Sequence, residues 1–427
     1  MQNELDRRYE VTASSTTAPS SPVPPNTPPT GSTPWRNAVL AVFALCGFAT
    51  ASWVSRIPAV RDNLDLTTAD VGLLLFGGAA GAIFGLTLAP WFQRLLGARR
   101  GILYGLLGMA VATVLLGLAA ESNSTFALAT AALVGQSFAF SITDVIMNVE
   151  GAQLERSIRK TLMPMLHAFF SLGTIAGALV GAGAAATGVS VSVHLAAVGA
   201  LVALASFYSV RFIPRLPTVE EVPRPKQTGP ERLAQQLRLL RDPRLAFIGL
   251  LVVGMTLTEG AANDWIALGA VDGHGLPQEV GALVFGAFVT AMTIGRMLGG
   301  PLIDRFGRAK SLIGLALLGL SGLLLFILAE NTWLVVLGAL LWGLGGSLGF
   351  PIGVTLAADH PTHAAERVST VAICGYFAFL VGPPALGILG EHWGVLNALY
   401  IVAGLLMLSL LAIPRAARPA RERHADS

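Results

Sequence analysis

Few side chains in this sequence combine type and spacing in a way that could do chemistry, and those few lie within apolar stretches. Asp144 with Asn148, and Glu259 with Asn263, each place an acid four residues before an asparagine, so each pair shares one helix face. Asp264, His167 and Arg296 are further ionisable groups in apolar sequence. A charge at the centre of a bilayer costs at least about 2.5 to 3.5 kcal/mol, so such groups face a wet cavity or a partner. A carboxylate there can hold a polar solute and also take up and release a proton. The competing reading is that each acid is permanently paired with a basic group or a helix end and only stabilises packing. Arg56 and Asp264 fall near the outer ends of their segments and form a candidate gate pair, unless Arg56 merely anchors at the interface. His167 is either a proton-handling group or a satisfied histidine at a helix end. Tyr376 can hydrogen-bond a solute or fill the core, and Trp53 is a second aromatic candidate for contact.

The segments that carry these residues number twelve. Apolar runs cover residues 36–58, 69–92, 101–120, 125–148, 162–186, 191–212, 244–268, 279–302, 311–329, 332–356, 368–390 and 394–413. Runs of about 20 residues match a hydrocarbon layer about 30 Å thick. With 53% hydrophobic and 12% charged residues, the chain has more apolar surface than one soluble core could hide. Of the 28 Lys and Arg, only Arg56 and Arg61 fall on one side of the alternating loops and Arg296 lies inside a span. All the others share the opposite side with both tails. The positive-inside rule makes that side cytoplasmic.

Topology accounts for the basic charge, and no aromatic interleaving points to nucleic acid. Cys46 and Cys374 sit alone in separate spans, so neither a disulfide framework nor a metal cluster can be built from them. The sequence holds no phosphate-binding loop of the Walker type, and no activated nucleophile or metal-ligand grouping, so ATP drive and enzymatic chemistry are set aside. No cofactor is expected, with the proton as coupling ion. The expected partners are a small-molecule solute and the lipid bilayer, with one chain sufficient for a pathway.

Composition divides the chain further. Residues 1–34, rich in Ser, Thr and Pro, read as a disordered cytoplasmic tail, and 415–427 as a basic one. Residues 213–243 form a polar linker in which Leu233, Leu237 and Leu240 recur at helical spacing, which predicts a short amphipathic helix. It separates six-helix bundles at 35–212 and 244–414, the layout of a duplicated transporter. Gly77, Gly81 and Gly85 in the second span, and Gly173, Gly177 and Gly181 in the fifth, recur every four residues, so helix backbones can approach closely. The eighth and eleventh spans are also glycine-rich, giving a period of three helices. Trp35, Trp91, Trp333 and Trp393 end spans and read as interface anchors.

Between the eighth and ninth spans, Gly300, Leu302, Asp304, Arg305, Gly307, Arg308 and Lys310 resemble the cytoplasmic loop signature of the major facilitator superfamily. The matching loop of the first half is degenerate: Gly85, Leu88, Gly97, Arg99 and Arg100 remain, but Pro90 stands where the acid is expected. The resemblance implies an all-α fold of twelve transmembrane helices in two pseudo-symmetric six-helix bundles. It also implies that Asp304 helps hold the inward gate shut through contacts to a neighbouring helix end. The stretch from Ser141 to Gly173 is similar to the branch of fucose-type sugar permeases, which carry an acid followed by Asn in the fourth span, as Asp144 and Asn148 do. The first span departs from that pattern, holding Trp53 and Arg56 and no acid. Pro383 and Pro384, in a family-like stretch of the eleventh span, predict a bend that takes part in gating, and Pro351 predicts another in the tenth. The resulting expectation is secondary active transport of a small polar organic solute, sugar-like and proton-coupled. Efflux of an apolar or amphiphilic compound is the alternative, and a transporter-fold sensor is the reading from a different class.

Overall fold

A computed structural model describes residues 32–121, 126–214, 236, 238–359 and 363–417, and among these the chain is helical with no strand. In the first half the helices are α1 (Ser32–Val54), the short α2 (Ile57–Asn63), α3 (Thr68–Ala119), α4 (Phe126–Ile158), α5 (Met163–Ala186) and α6 (Val191–Val210). In the second they are α7 (Pro243–Leu268), α8 (Gln278–Phe306), α9 (Arg308–Leu328), α10 (Thr332–Gly346), α11 (Gly349–Ala358), α12 (Ala364–Trp393) and α13 (Val395–Ala416). A π-helical turn, Gly269–Gly273, extends α7. Helices suit the apolar solvent because every backbone group within them is satisfied inside the segment.

These helices supply twelve crossings. Helix α3 contains the second and third spans, joined at Gly97, whose φ of 69° and ψ of 171° lie outside the helical region. Gly307 has nearly the same conformation between α8 and α9. Only glycine adopts it cheaply, which explains why the degenerate loop keeps Gly97 while losing the acid. Asp65 and Gly275 also share a positive φ, and the chain interval between them equals that from Gly97 to Gly307. The duplication is therefore visible in individual backbone angles.

Helix pairing repeats in the same way. α1 packs on α5 as α7 packs on α12, the span-two part of α3 on α4 as α8 on α10, and the span-three part on α6 as α9 on α13. Between the bundles, α3 meets α12 and α5 meets α8. The predicted glycine ladder lies within the first bundle: Gly77, Gly81 and Gly85 rest on Thr130, Val134 and Phe138 of α4, and Gly173 and Gly177 on Ala44 and Phe48 of α1.

Several expectations change in detail. α1 begins at Ser32, inside the stretch read as a tail; residues 1–31 and most of the linker helix lie outside the described residues. Trp35 is not an interface anchor. It is buried, and its indole N–H donates to Glu150 at 2.8 Å, whereas Trp91, Trp333 and Trp393 are exposed. Pro351 cannot donate to the carbonyl four residues back, that of Ser347, and the tenth span breaks there into α10 and α11. By contrast, α12 continues as helix through Pro383 and Pro384.

Candidate functional site

Between the bundles lies a cavity of about 510 Å³ to which α1, α3, α4 and α5 contribute from one side and α7, α8 and α12 from the other. Asp144, Glu259, Asn263, Asp264, Trp53, Tyr376 and Pro383 line it, as does Arg296. Asn148, Arg56, His167 and Pro384 are not in its wall. The acid-x-x-x-Asn pairs on α4 and α7 thus meet at one space, but they behave differently.

On α4 the pair closes on itself. Asn148 Nδ2 donates to the Asp144 backbone carbonyl at 2.8 Å and to its Oδ1 at 3.2 Å, so Asn148 orients the acid from behind. No ion pair is formed by Asp144 among the described residues. On α7, Glu259 Oε1 instead accepts from Arg296 of α8 at 2.7 Å, while Asn263 lies along the wall. Arg296 Nε also reaches the Ser347 carbonyl at 3.3 Å. That oxygen is the one Pro351 leaves without a helix donor, so the break in the tenth span creates the acceptor that aims Arg296 at Glu259. For Glu259 the paired reading of the sequence therefore holds in this conformation, and for Asp144 it does not.

Other polar groups in the wall went unrecognised in the sequence. Ser137 and Ser141 stand four residues apart on α4, with Asp144 three residues further on, a polar stripe at helical period, and Gln136 beside them donates to Thr113 Oγ1 at 3.0 Å. Thr50, Ser171 and Thr174 add hydroxyls from α1 and α5. The α4 stripe was a readable signal; isolated hydroxyls in apolar helices were not, because they usually bond their own backbone, as Thr174 does to Phe170.

The expected gate pair is replaced. Arg56 does not meet Asp264: it is 4% exposed and its Nη2 donates to the Val189 carbonyl at 2.8 Å within the first bundle. Asp264 lines the cavity and the small apolar recess beside it. The pair that crosses between bundles is Arg61 of α2 with Asp272 of the π-turn. Gln278 Nε2 donates to Asp62 at 2.8 Å, and the backbone N–H of Thr68 at the start of α3 donates to Glu391 Oε2 at 2.8 Å. One turn deeper, Gly72 abuts Pro383 and Gly387. Among the described residues, every hydrogen bond between bundles lies at this end, away from the termini. The cavity begins on the terminal side of these contacts, with Leu75, Ile83 and Leu86 following Gly72 along α3.

At the terminal side, Asp304 is exposed and forms no hydrogen bond or ion pair among the described residues. Gly300 is also exposed, and Arg305 stacks on Phe306 at 5.4 Å. Arg308 of the same loop grips Asp359 at the end of α11 at 2.7 Å. Nearby, Asp242 accepts from Arg367 at 2.6 Å and from the Arg244 N–H at 2.9 Å. Burial opposes the charge on Asp242, but these donors outweigh it and hold the carboxyl below its usual range. His167 is exposed near the same end, its ring nitrogen 3.0 Å from the Met163 carbonyl and its ring 5.4 Å from that of Phe43.

Comparison with known proteins matches this architecture. The sequence profile described as Major Facilitator Superfamily matches residues 38–271 and 262–426. An uncharacterized MFS-type transporter of Yersinia pestis is 29% identical over 382 residues, covering 88% of this chain and 93% of the relative. The crystal structure of a mutant of the nucleoside transporter NupG superposes with a TM-score of 0.75 at 16% identity, covering 90% of this chain and 100% of that one. That of FucP, an MFS transporter in the outward conformation, gives 0.61 at 16% identity, covering 90% and 98%.

Proposed function

The chain belongs to the Major Facilitator Superfamily and is a multi-pass membrane transporter rather than an enzyme, and we propose that it moves a small polar organic solute by proton-coupled alternating access. The observation that carries this reading is Asp144: a carboxylate in the wall of a central cavity, oriented by Asn148 and forming no ion pair among the described residues. Such a group is free to exchange between a proton and a solute contact during a cycle. Hydroxyls on α4 and α5, with Asn263 and Tyr376 opposite, supply hydrogen-bonding partners for a polar solute of sugar or nucleoside size. The positive-inside distribution of the basic loops supports a reading with both termini in the cytoplasm of a cell carrying the protein in its inner or plasma membrane. The closed far end then makes this an inward-facing state, and Arg61, Asp272, Asp62, Gln278 and Glu391 form the outer gate. Asp304 engages only when the inner side shuts.

Transport by the protein reconstituted in liposomes, measured with a panel of sugars, nucleosides, polyols and small organic cations at inside and outside pH values set separately, tests the reading. A substrate flux driven by a proton gradient, made insensitive to that gradient by Asp144→Asn, is the expected result. A gradient response retained in full by Asp144→Asn would remove this carboxylate from coupling. Aromatic residues of the wall, including Trp53, Phe140, Phe170 and Phe379, favour a second reading, efflux of an amphiphilic compound. In that case amphiphiles and not sugars would be moved, in the opposite direction.

A further inference from the structure

The ionisable groups of the cavity wall do not balance. Three carboxylates, those of Asp144, Glu259 and Asp264, face one guanidinium, that of Arg296. Arg296 is committed to Glu259 at 2.7 Å, so that pair cancels locally and leaves no unpaired cation for an anionic solute. Asp144 and Asp264 remain, one on each bundle, and neither forms an ion pair among the described residues. Tyr376 and Cys46 lie within the field of Asp144. So does His167, which stands at the terminal-side mouth and does not line the cavity. Around Asp264 the recess is walled by Trp265, Ala378, Gly382 and Leu386, which offer no counter-charge. Aromatic residues Trp53, Phe140, Phe170 and Tyr376 line the same space, and the face of an aromatic ring attracts cations.

We propose that the solute is a small organic cation whose positive charge takes the place of the coupling proton at Asp144, among the aromatic residues of the wall, while Asp264 holds a proton of its own. This rests on the transporter reading and narrows its substrate class. A neutral sugar would leave two unpaired carboxylates facing each other across the bound solute, and an organic anion would add a third like charge. A monocation and one proton neutralise both.

The test reads the sign of the cavity directly and needs no substrate. In a background with Cys46→Ala and Cys374→Ala, Ser171→Cys places one thiol in the wall. Its labelling rates with a trimethylammonium-bearing and a sulfonate-bearing methanethiosulfonate are compared at pH 7.5, each divided by the reagent's rate with a free thiol. Charge focusing in a cleft gives a ratio of at least about tenfold in favour of the cationic reagent. The ratio falls to within about twofold when Asp144→Asn and Asp264→Asn are combined. In the same single-thiol protein, choline, a minimal hydroxylated cation, slows labelling by a neutral reagent more than acetate does. A labelling ratio near one, or equal or absent slowing by choline, overturns the cation assignment and leaves the transport reading standing. Absence of flux in liposomes would sink the transport reading without altering the ratio.

Discussion

Removing Arg61 shifts the balance between the two ends of the transporter. Arg61 and Asp272 join α2 to the π-turn across the bundle interface, each side chain 20% exposed. Exposed pairs are worth about 0.2 to 1 kcal/mol, whereas two unit charges at 4 Å with an effective dielectric constant of 20 give about 4 kcal/mol before desolvation. A pair four-fifths buried falls between, at about 1.5 kcal/mol. Because the contact exists only when the far end is closed, its loss lowers the population of that state relative to the alternative by about tenfold. The Asp62–Gln278 and Thr68–Glu391 bonds remain and keep the change finite. Spin labels on Asn63 and His392, both exposed at this end, report the separation by pulsed dipolar spectroscopy. Arg61→Ala enriches the longer distance, and Arg61→Asp combined with Asp272→Arg restores the short one. An unchanged distance distribution in Arg61→Ala, or a swap that rescues nothing, would refute the assignment of this pair as a gate.

Glu259 and Arg296 should behave as a coupled unit. Arg296→Met lowers stability by about 1 to 3 kcal/mol in a thermal melt because it leaves a cavity carboxylate and the Ser347 carbonyl without their donor, and adding Glu259→Gln recovers part of that loss. Asp242→Asn costs about 1 kcal/mol at neutral pH through its bonds to Arg367 and the α7 amino end. Because the folded carboxyl sits below its usual value, that stability is complete above about pH 3.9 and is lost as pH falls through the lower folded value. Wild type and variant therefore converge only in strong acid, and convergence already at pH 5 would contradict the network. Gly97→Ala and Gly307→Ala each cost about 1 to 3 kcal/mol by forcing a Cβ into the same left-handed conformation, read as equal losses in melting experiments.

Much of the molecule was legible in the chain because a bilayer imposes a long-period rule. Apolar runs of fixed length, and basic residues on alternate loops, specify twelve crossings without any knowledge of contacts. Glycine spacing anticipated close approach at the second and fifth spans, since the spacing of a helix face is a local property, but their partners, α4 and α1, came from the structure. The same reasoning placed Asp144 and Glu259 at one cavity, because each is an expensive residue in an apolar helix. It failed for Trp35, whose position at a span end said nothing of the buried Glu150 that takes its N–H.

The sequence by itself determined the class, the repeat and the short list of groups that could carry charge through the membrane. Only the tertiary structure decided which were paired. Arg296 finds Glu259 because a proline in another span frees the Ser347 carbonyl beside it, and Arg61 rather than Arg56 crosses to the second bundle because α2 projects it toward the π-turn. Partners so far apart in the chain meet through helix packing, and local residue pattern contains no record of that. Asp144 forms no ion pair among the described residues for the same reason, and that is a property of the assembled bundles rather than of the fourth span alone.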